Sequence, residues 1–300
     1  MRTLCFGEAI VDLICHRHVG SRDGADAFVP HLGGVTANIA VTAARFGADV
    51  ALAGGTGADL WGQWLHDRLN AERVDLRWFG LADGLHTALT FVTVGADGEP
   101  VYDLYGDGIQ AAVQGLEGRL LEAVEASDAV LFTSNTLAGK AEHQLTMAAR
   151  ERALELERPI VFDANLRLGR WDGNPGRAGA AAARCASGAF LVKCNEAEAR
   201  LMTGEDRAEA AAASLLAAGA RHVIVTRGAH GAILRAKAMN FNVASQPARV
   251  RSTLGAGDVF LGVLLARLAG TGFYPAALAA ALHEAAEEAA RACERWGALE

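Results

Sequence analysis

The chain has 300 residues, a formal charge of −7, 51% hydrophobic and 21% charged residues, and 34 Gly against 6 Pro. That is an ordinary globular composition with enough apolar mass for a large core, and it excludes a disordered, collagen-like or disulfide-stapled protein. The acidic balance argues against nucleic acid or an anionic membrane as the main partner, since both need a basic surface.

The opening stretch MRTLCFGEAIVDL is interrupted by Glu8 and Asp12, so it does not read as a secretory signal. Residues 3–10 read as the first β run. Residues 16–31 are polar and irregular, and His16 and His18 there read as surface histidines, because no carboxylate pair at ligand spacing accompanies them. Residues 36–46 have helical spacing and end at Gly47, where a left-handed cap fits; a short strand at 50–53 and a helix at 60–69 follow. The period then changes. Residues 87–94 and 100–105 are β-like runs joined by Ala96-Asp97-Gly98, a hairpin turn signal. Tyr102 and Tyr105, three apart on the second run, fall on opposite faces, so at most one of them meets a ligand.

From Leu116 onward short apolar strands (129–132, 160–162, 190–192, 223–225) alternate with Ala-rich helices, including 140–157 and 208–218. Continuous apolar strands between helices mean a mostly parallel central sheet flanked by helices on both faces, an α/β fold. The two interruptions are expected to form a small β lid over that sheet: 13–31 and 86–112 as lid, and 1–12, 32–85 and 113–300 as core. The longest apolar runs, such as 259–266 and 276–282, fall far short of the ~20 residues that cross a bilayer. Five widely spaced cysteines with no CxxC suit buried, reduced thiols in a cytoplasm.

The most informative stretch is Ser252-Thr253-Leu254-Gly255-Ala256-Gly257-Asp258, placed between an expected strand near 249–251 and an apolar helix over 259–268. Small residues let the backbone curl so that N–H groups converge, and the helix start adds a positive dipole, which makes an anion hole. Asp258 sits in the first turn, aimed at the same spot, although a plain helix cap explains it equally well on these residues alone. No GxxxxGK[ST] occurs, so a P-loop is excluded and any phosphate must use this turn.

GAGD before an apolar helix resembles the signature of the ribokinase (PfkB) family of carbohydrate kinases, and further motifs follow in that family's order over nearly the whole chain. Gly7-Glu8-Ala9-Ile10-Val11-Asp12 resembles the opening strand with its sugar-binding Asp, and Gly33-Gly34-Val35-Thr36-Ala37-Asn38 resembles GGxxAN. Gly55-Thr56-Gly57-Ala58-Asp59 with Gly62, Asp163-Ala164-Asn165-Leu166-Arg167, Lys193-Cys194-Asn195-Glu196-Ala197-Glu198 and Thr226-Arg227-Gly228 through Gly231 resemble the remaining family turns.

The resemblance implies a ribokinase-like fold and an ATP-dependent sugar kinase. Asp258 would be the general base and Gly255, Ala256 and Gly257 the anion hole. Asp12, Gly33, Gly34, Asn38 and Arg167 would hold the sugar. Lys193, Asn195, Thr226, Gly228 and Gly231 would face the nucleotide, and Glu198 would organise Mg²⁺. Residues 100–112 are most similar to fructokinases; Gly106 stands where ketodeoxygluconate kinases usually carry an Arg, which favours a neutral sugar. Ketodeoxygluconate and nucleoside kinases are the enzymatic alternatives, and a kinase-like sugar or nucleotide sensor is the non-enzymatic one. Two positions depart from the family. Ala286 stands where an Asn or His often faces adenine. Ser252 replaces the carboxylate of a monovalent-cation site completed by Arg295-Trp296-Gly297-Ala298, so weak dependence on K⁺ is expected. A sugar and ATP are the expected partners, with the lid as the surface for a homodimer.

Overall fold

The computed structural model describes residues 1–19, 24–116 and 118–300; residues 20–23 of the expected lid lie outside the described residues. A large sheet runs through the molecule in the order β13 (Met239–Val243), β12 (Ala232–Ala236), β11 (His222–Thr226), β10 (Leu191–Asn195), β9 (Ile160–Asp163), β8 (Ala129–Thr133), β1 (Thr3–Phe6), β4 (Val50–Gly57) and β5 (Asp75–Ala82). All pairings from β5 to β11 are parallel, and only β12 and β13 run antiparallel at one edge.

The continuous apolar strands have the physical cause read from the sequence: both faces are covered. Successive residues go to opposite cores. Leu4 and Phe6, Val130 and Phe132, and Ile160 and Phe162 pack in one cluster, while Cys5, Leu131 and Val161 pack in the other. The second cluster is closed by α1 (Val35–Arg45), α9 (Ala256–Gly270) and α10 (Ala276–Cys293). Helix α9 is apolar all round because it is buried nearly all round. Ala286, which stands where the family often carries an Asn or His, is buried in this core. Cys5, Cys15, Cys185 and Cys194 are buried and free, as small core hydrophobes.

A second sheet, in the order β3 (Val29–Gly33), β2 (Ile10–His18), β6 (Leu89–Val94) and β7 (Pro100–Tyr105), covers one end of the first. The hairpin is where the sequence placed it, with Gly98 at φ 81 in its turn. Four expectations need correction. The single strand over 3–10 is two strands. β1 stops at Phe6, and the chain then passes so close to α1 that a Cβ on Gly7 would lie 2.1 Å from Thr36 Oγ1, before β2 starts the second sheet. The segment 16–31, read as irregular, carries the end of β2 and the start of β3. Residues 249–251 form no strand; the N–H groups of Arg251 and Ser252 donate to the Cys293 carbonyl at the end of α10. Residues 108–112, expected in the lid, belong to helix α3 (Gly108–Gly115), which packs on β4 and β5 of the large sheet.

Strand order reverses at β1, which has β4 on one side and β8 on the other. In open α/β sheets the crevice at the carboxyl end of such a switch point is where ligands bind. Here that crevice is roofed by the second sheet.

Candidate active site

A cleft of about 750 Å³ opens at this point. Asp12, Gly34, Asn38, Arg167, Gly255 and Asp258, all singled out in the sequence, line it together. They arrive from β2, the start of α1, the loop after β9 and the start of α9.

Asp258 is the third residue of α9 and 5% exposed. Its Oδ2 accepts a hydrogen bond from Asn38 Nδ2 at 2.9 Å. Burial pushes its pKa above the ordinary aspartate value, while the Asn38 bond and the charges of Lys193 and Arg167 hold the rise back. Gly255 takes a left-handed conformation (φ 72) to start the helix. A Cβ there would lie 2.2 Å from Ala298 Cβ, so Ala298 abuts the glycine turn. Among the described residues no backbone acceptor takes the N–H of Gly255 or Gly257, whereas that of Ala256 donates to the Thr253 carbonyl at 3.3 Å. The turn donors without a backbone acceptor are therefore those of the two glycines.

Asp12 is 6% exposed, and burial, with the nearby charge of Asp258, raises its carboxyl to about 7 despite Arg167. Gly33 lies beside it in the β2–β3 pair; a Cβ there would sit 2.2 Å from Asp12 Oδ2, so the glycine is the space the carboxylate occupies. Gly34 (φ 95) caps α1 against the Glu8 carbonyl, which a Cβ would approach to 2.7 Å. The Arg167 guanidinium lies 5.0 Å over the Tyr102 ring, and Tyr105 instead packs its ring on Phe91. Only the first tyrosine faces the cleft, as the spacing required.

Lys193 is buried beneath the glycine turn. Its Nζ is 3.1 and 3.3 Å from the Asp163 carboxylate and would be 2.9 Å from a Cβ on Gly257. Burial lowers the Lys193 pKa, but Asp163, Glu198 and Asp258 outweigh it and keep the ammonium charged. Glu198 is buried in a capping box with Asn195: Oε2 accepts the Asn195 N–H at 2.8 Å, and Asn195 Oδ1 accepts the Glu198 N–H at 2.8 Å. Its Oε1 accepts the Leu166 N–H at 3.0 Å, which fixes the loop carrying Arg167. Thr226, Gly228 (φ 52) and Gly231 (φ 80) form the tight β11–β12 turn, where a Cβ on Gly231 would lie 2.0 Å from the Val243 carbonyl. Asn195 and Thr226 pair across β10 and β11. None of these residues lines the cleft; they continue along the same carboxyl edge of the sheet.

Sequence reasoning missed Glu8 and Asn135. Glu8 Oε1 accepts from Asn135 Nδ2 at 3.0 Å and from the Val35 N–H at 3.2 Å. Both line the cleft with Asn38 and Thr90, and these four residues carry buried oxygens without a protein partner among the described residues: Glu8 Oε2, Asn38 Oδ1, Thr90 Oγ1 and Asn135 Oδ1. An acid buried one residue after Gly7 was the available signal for Glu8; Asn135 carried none. Asp59, by contrast, is structural. It caps α2 (Leu60–Ala71) and accepts the Thr87 N–H at 2.9 Å and hydroxyl at 2.6 Å, which anchors the base of the hairpin.

The pfkB family carbohydrate kinase model matches residues 2–298. Fructokinase-1 of Oryza sativa subsp. japonica is 30% identical over 266 residues, 88% of this chain and 81% of that protein. The fructokinase of Vibrio cholerae O395, solved with fructose, ADP and calcium ion bound, superposes with a TM-score of 0.85 at 26% identity, covering 99% of this chain and 94% of the other. The sugar kinase PH1459 of Pyrococcus horikoshii, solved with ATP, gives 0.82 at 26% identity, covering 99% and 94%. Over its whole length this chain belongs to the pfkB family of carbohydrate kinases, phosphotransferases that act on a sugar hydroxyl.

Proposed function

We propose that this kinase transfers the γ-phosphoryl group of ATP to a hydroxyl of a small neutral sugar such as fructose. The observation that carries the reading is a single cleft lined by Asp12, Asp258 and four residues with buried, partnerless oxygens. Buried polar atoms are normally satisfied, so a cleft lined by several orphans suits a ligand with many hydroxyls.

In this reading Asp12, Asn38 and Gly34 hold the sugar. Asp258 Oδ1, the oxygen not bonded to Asn38, takes the proton of the acceptor hydroxyl as its oxygen bonds to the γ-phosphorus. The bond from that phosphorus to the β–γ bridging oxygen breaks, and ADP leaves with the electron pair. A desolvated carboxylate with a raised pKa is a better base than one in water. The N–H groups of Gly255 and Gly257, the α9 dipole and the Lys193 ammonium beneath them favour the charge on the transferred group. The acids Glu198 and Asp163 suit a hydrated Mg²⁺, since each Glu198 oxygen keeps acceptor capacity beyond its one N–H bond. Mg²⁺ bound there would neutralise phosphate charge. The second sheet, with β2, β3 and the β6–β7 hairpin as its movable parts, closes over the sugar and excludes water. Its outer strand β7 exposes Val101 and Tyr105 on the face away from the cleft, beside the unpaired edge on which a second copy would pair.

ADP release with ATP and a panel of neutral hexoses, ketodeoxygluconate and nucleosides tests the reading; a higher kcat/KM for either of the last two than for every hexose refutes it. The sugar-acid alternative has one observation in its favour. Among the described residues Arg167 makes no ion pair, which leaves a guanidinium at the cleft for a carboxylate.

A further inference from the structure

Strands β2 and β3 and the segment after α10 bring together three side chains that the sugar chemistry does not use. His16 Nε2 and His31 Nε2 face each other at 2.7 Å, and Glu300 Oε1 lies 3.4 Å from the first and 3.5 Å from the second. The carboxylate is already oriented, because its other oxygen, Oε2, accepts the Trp296 N–H at 3.0 Å. The Trp296 ring stacks on His16, with centroids 5.9 Å apart and planes 14° from parallel. A Cβ on Gly297 would fall 2.6 Å from His31 Nδ1, so the absence of a side chain there lets the tail pass against the imidazole.

We infer that His16, His31 and Glu300 form a binding site for a transition-metal dication of the Zn²⁺ type, separate from the sugar cleft. Two imidazole nitrogens and one carboxylate oxygen are a donor set that zinc takes with water in the fourth position. Zn–N and Zn–O bonds of about 2.0–2.1 Å put tetrahedral ligand atoms about 3.3–3.4 Å apart. The two nitrogen–oxygen distances here, 3.4 and 3.5 Å, reach or nearly reach that length. The two nitrogens must part by roughly 0.6 Å, a small swing of two imidazole rings. Without metal, their contact is a hydrogen bond from one ring to the other. The imidazoles select against Mg²⁺ and Ca²⁺, which prefer an all-oxygen shell.

The donors come from three separate segments, so a bound ion ties the second sheet to the chain end. That end already touches the catalytic turn: the Cys293 carbonyl accepts from Arg251 and Ser252, and Ala298 abuts Gly255. The first consequence of binding is thus stabilisation of this junction.

The test titrates nucleotide-free protein, with any affinity tag removed, with Co²⁺ and follows the visible d–d absorption of a tetrahedral site, then displaces Co²⁺ with Zn²⁺. Wild type takes up one equivalent. His16→Ala, His31→Ala and Glu300→Gln each weaken binding at least tenfold, whereas His283→Ala, at a histidine paired with Glu287 on α10 (3.2 Å), leaves it unchanged. Zn²⁺ raises the Tm of wild type and of His283→Ala but not of the other three variants, whose metal-free melts show that they fold. No tetrahedral band, or equal uptake by the His16 and His31 variants, overturns the inference and leaves a histidine–histidine hydrogen bond.

Discussion

Replacing Asp258 with Asn separates the chemical role of this residue from its structural one. The amide has nearly the carboxylate's shape, and its oxygen can still accept from Asn38 Nδ2, now at 2.9 Å. The cleft therefore keeps its geometry and its sugar affinity. What disappears is the proton acceptor, and a lost general base costs ~10²–10⁴ in kcat, which is about 2.7–5.4 kcal/mol in the barrier. Stability should move the other way. Burial penalises the Asp258 charge, so the neutral amide leaves the Tm of the unliganded protein equal or higher. The same charge raises Asp12 and Asp163, so both carboxyls should titrate lower in the variant. Steady-state kinetics by ADP release, sugar binding by calorimetry and a thermal melt measure the three quantities. Near wild-type kcat would refute the base assignment. A fall in kcat accompanied by a matching loss of Tm and of sugar binding would show a purely structural residue.

Asp12 makes unliganded stability depend on pH. Its pKa rises on folding from 3.8 to about 7, so the folded state holds the proton more tightly, and stability present below pH 4 is lost as pH rises through 7. The loss is at most on the order of 4 kcal/mol. Asp12→Asn should therefore melt higher than wild type at pH 8, with the gap closing towards pH 4; a gap independent of pH would refute the shift. Gly33→Ala drives a methyl group into the Asp12 carboxylate, where 2.2 Å is available, and should raise the sugar KM at least about tenfold with little change in Tm; unchanged KM would place Asp12 outside the sugar site. Ser252 is fully buried and its Oγ accepts the Leu254 N–H at 3.1 Å, so it offers a cation no charge. K⁺ should raise the wild-type rate by less than about tenfold over a bulky organic cation at equal ionic strength, and Ser252→Asp should increase the effect. Strong activation unchanged in Ser252→Asp would show that residue 252 does not control the site.

What could be read from the sequence is what neighbours along the chain decide. The core strands announce themselves because burial on both faces removes every polar residue from runs such as 129–132 and 160–162, and the 96–98 turn announces its hairpin through Gly98. The glycine turn before Asp258 is legible for the same reason: small residues, a helix start and an acid are adjacent. Strands β5 and β13 were not legible, since edge position leaves them exposed on part of their length and mixed in composition. Partnership across the fold was hidden altogether. Asn38 and Asp258 are 220 positions apart, and Glu8 and Asn135 are 127 apart, so no spacing rule links them. Local motif and distant partner also do different physical work. The motif supplies a group; the partner sets its charge state and leaves one of its oxygens open. Lys193 shows the difference most clearly. Its place in the Lys193–Glu198 motif suggested a nucleotide contact, and nothing in that motif announced its ion pair with Asp163, 30 positions away, or its position under Gly257 in the turn before Asp258.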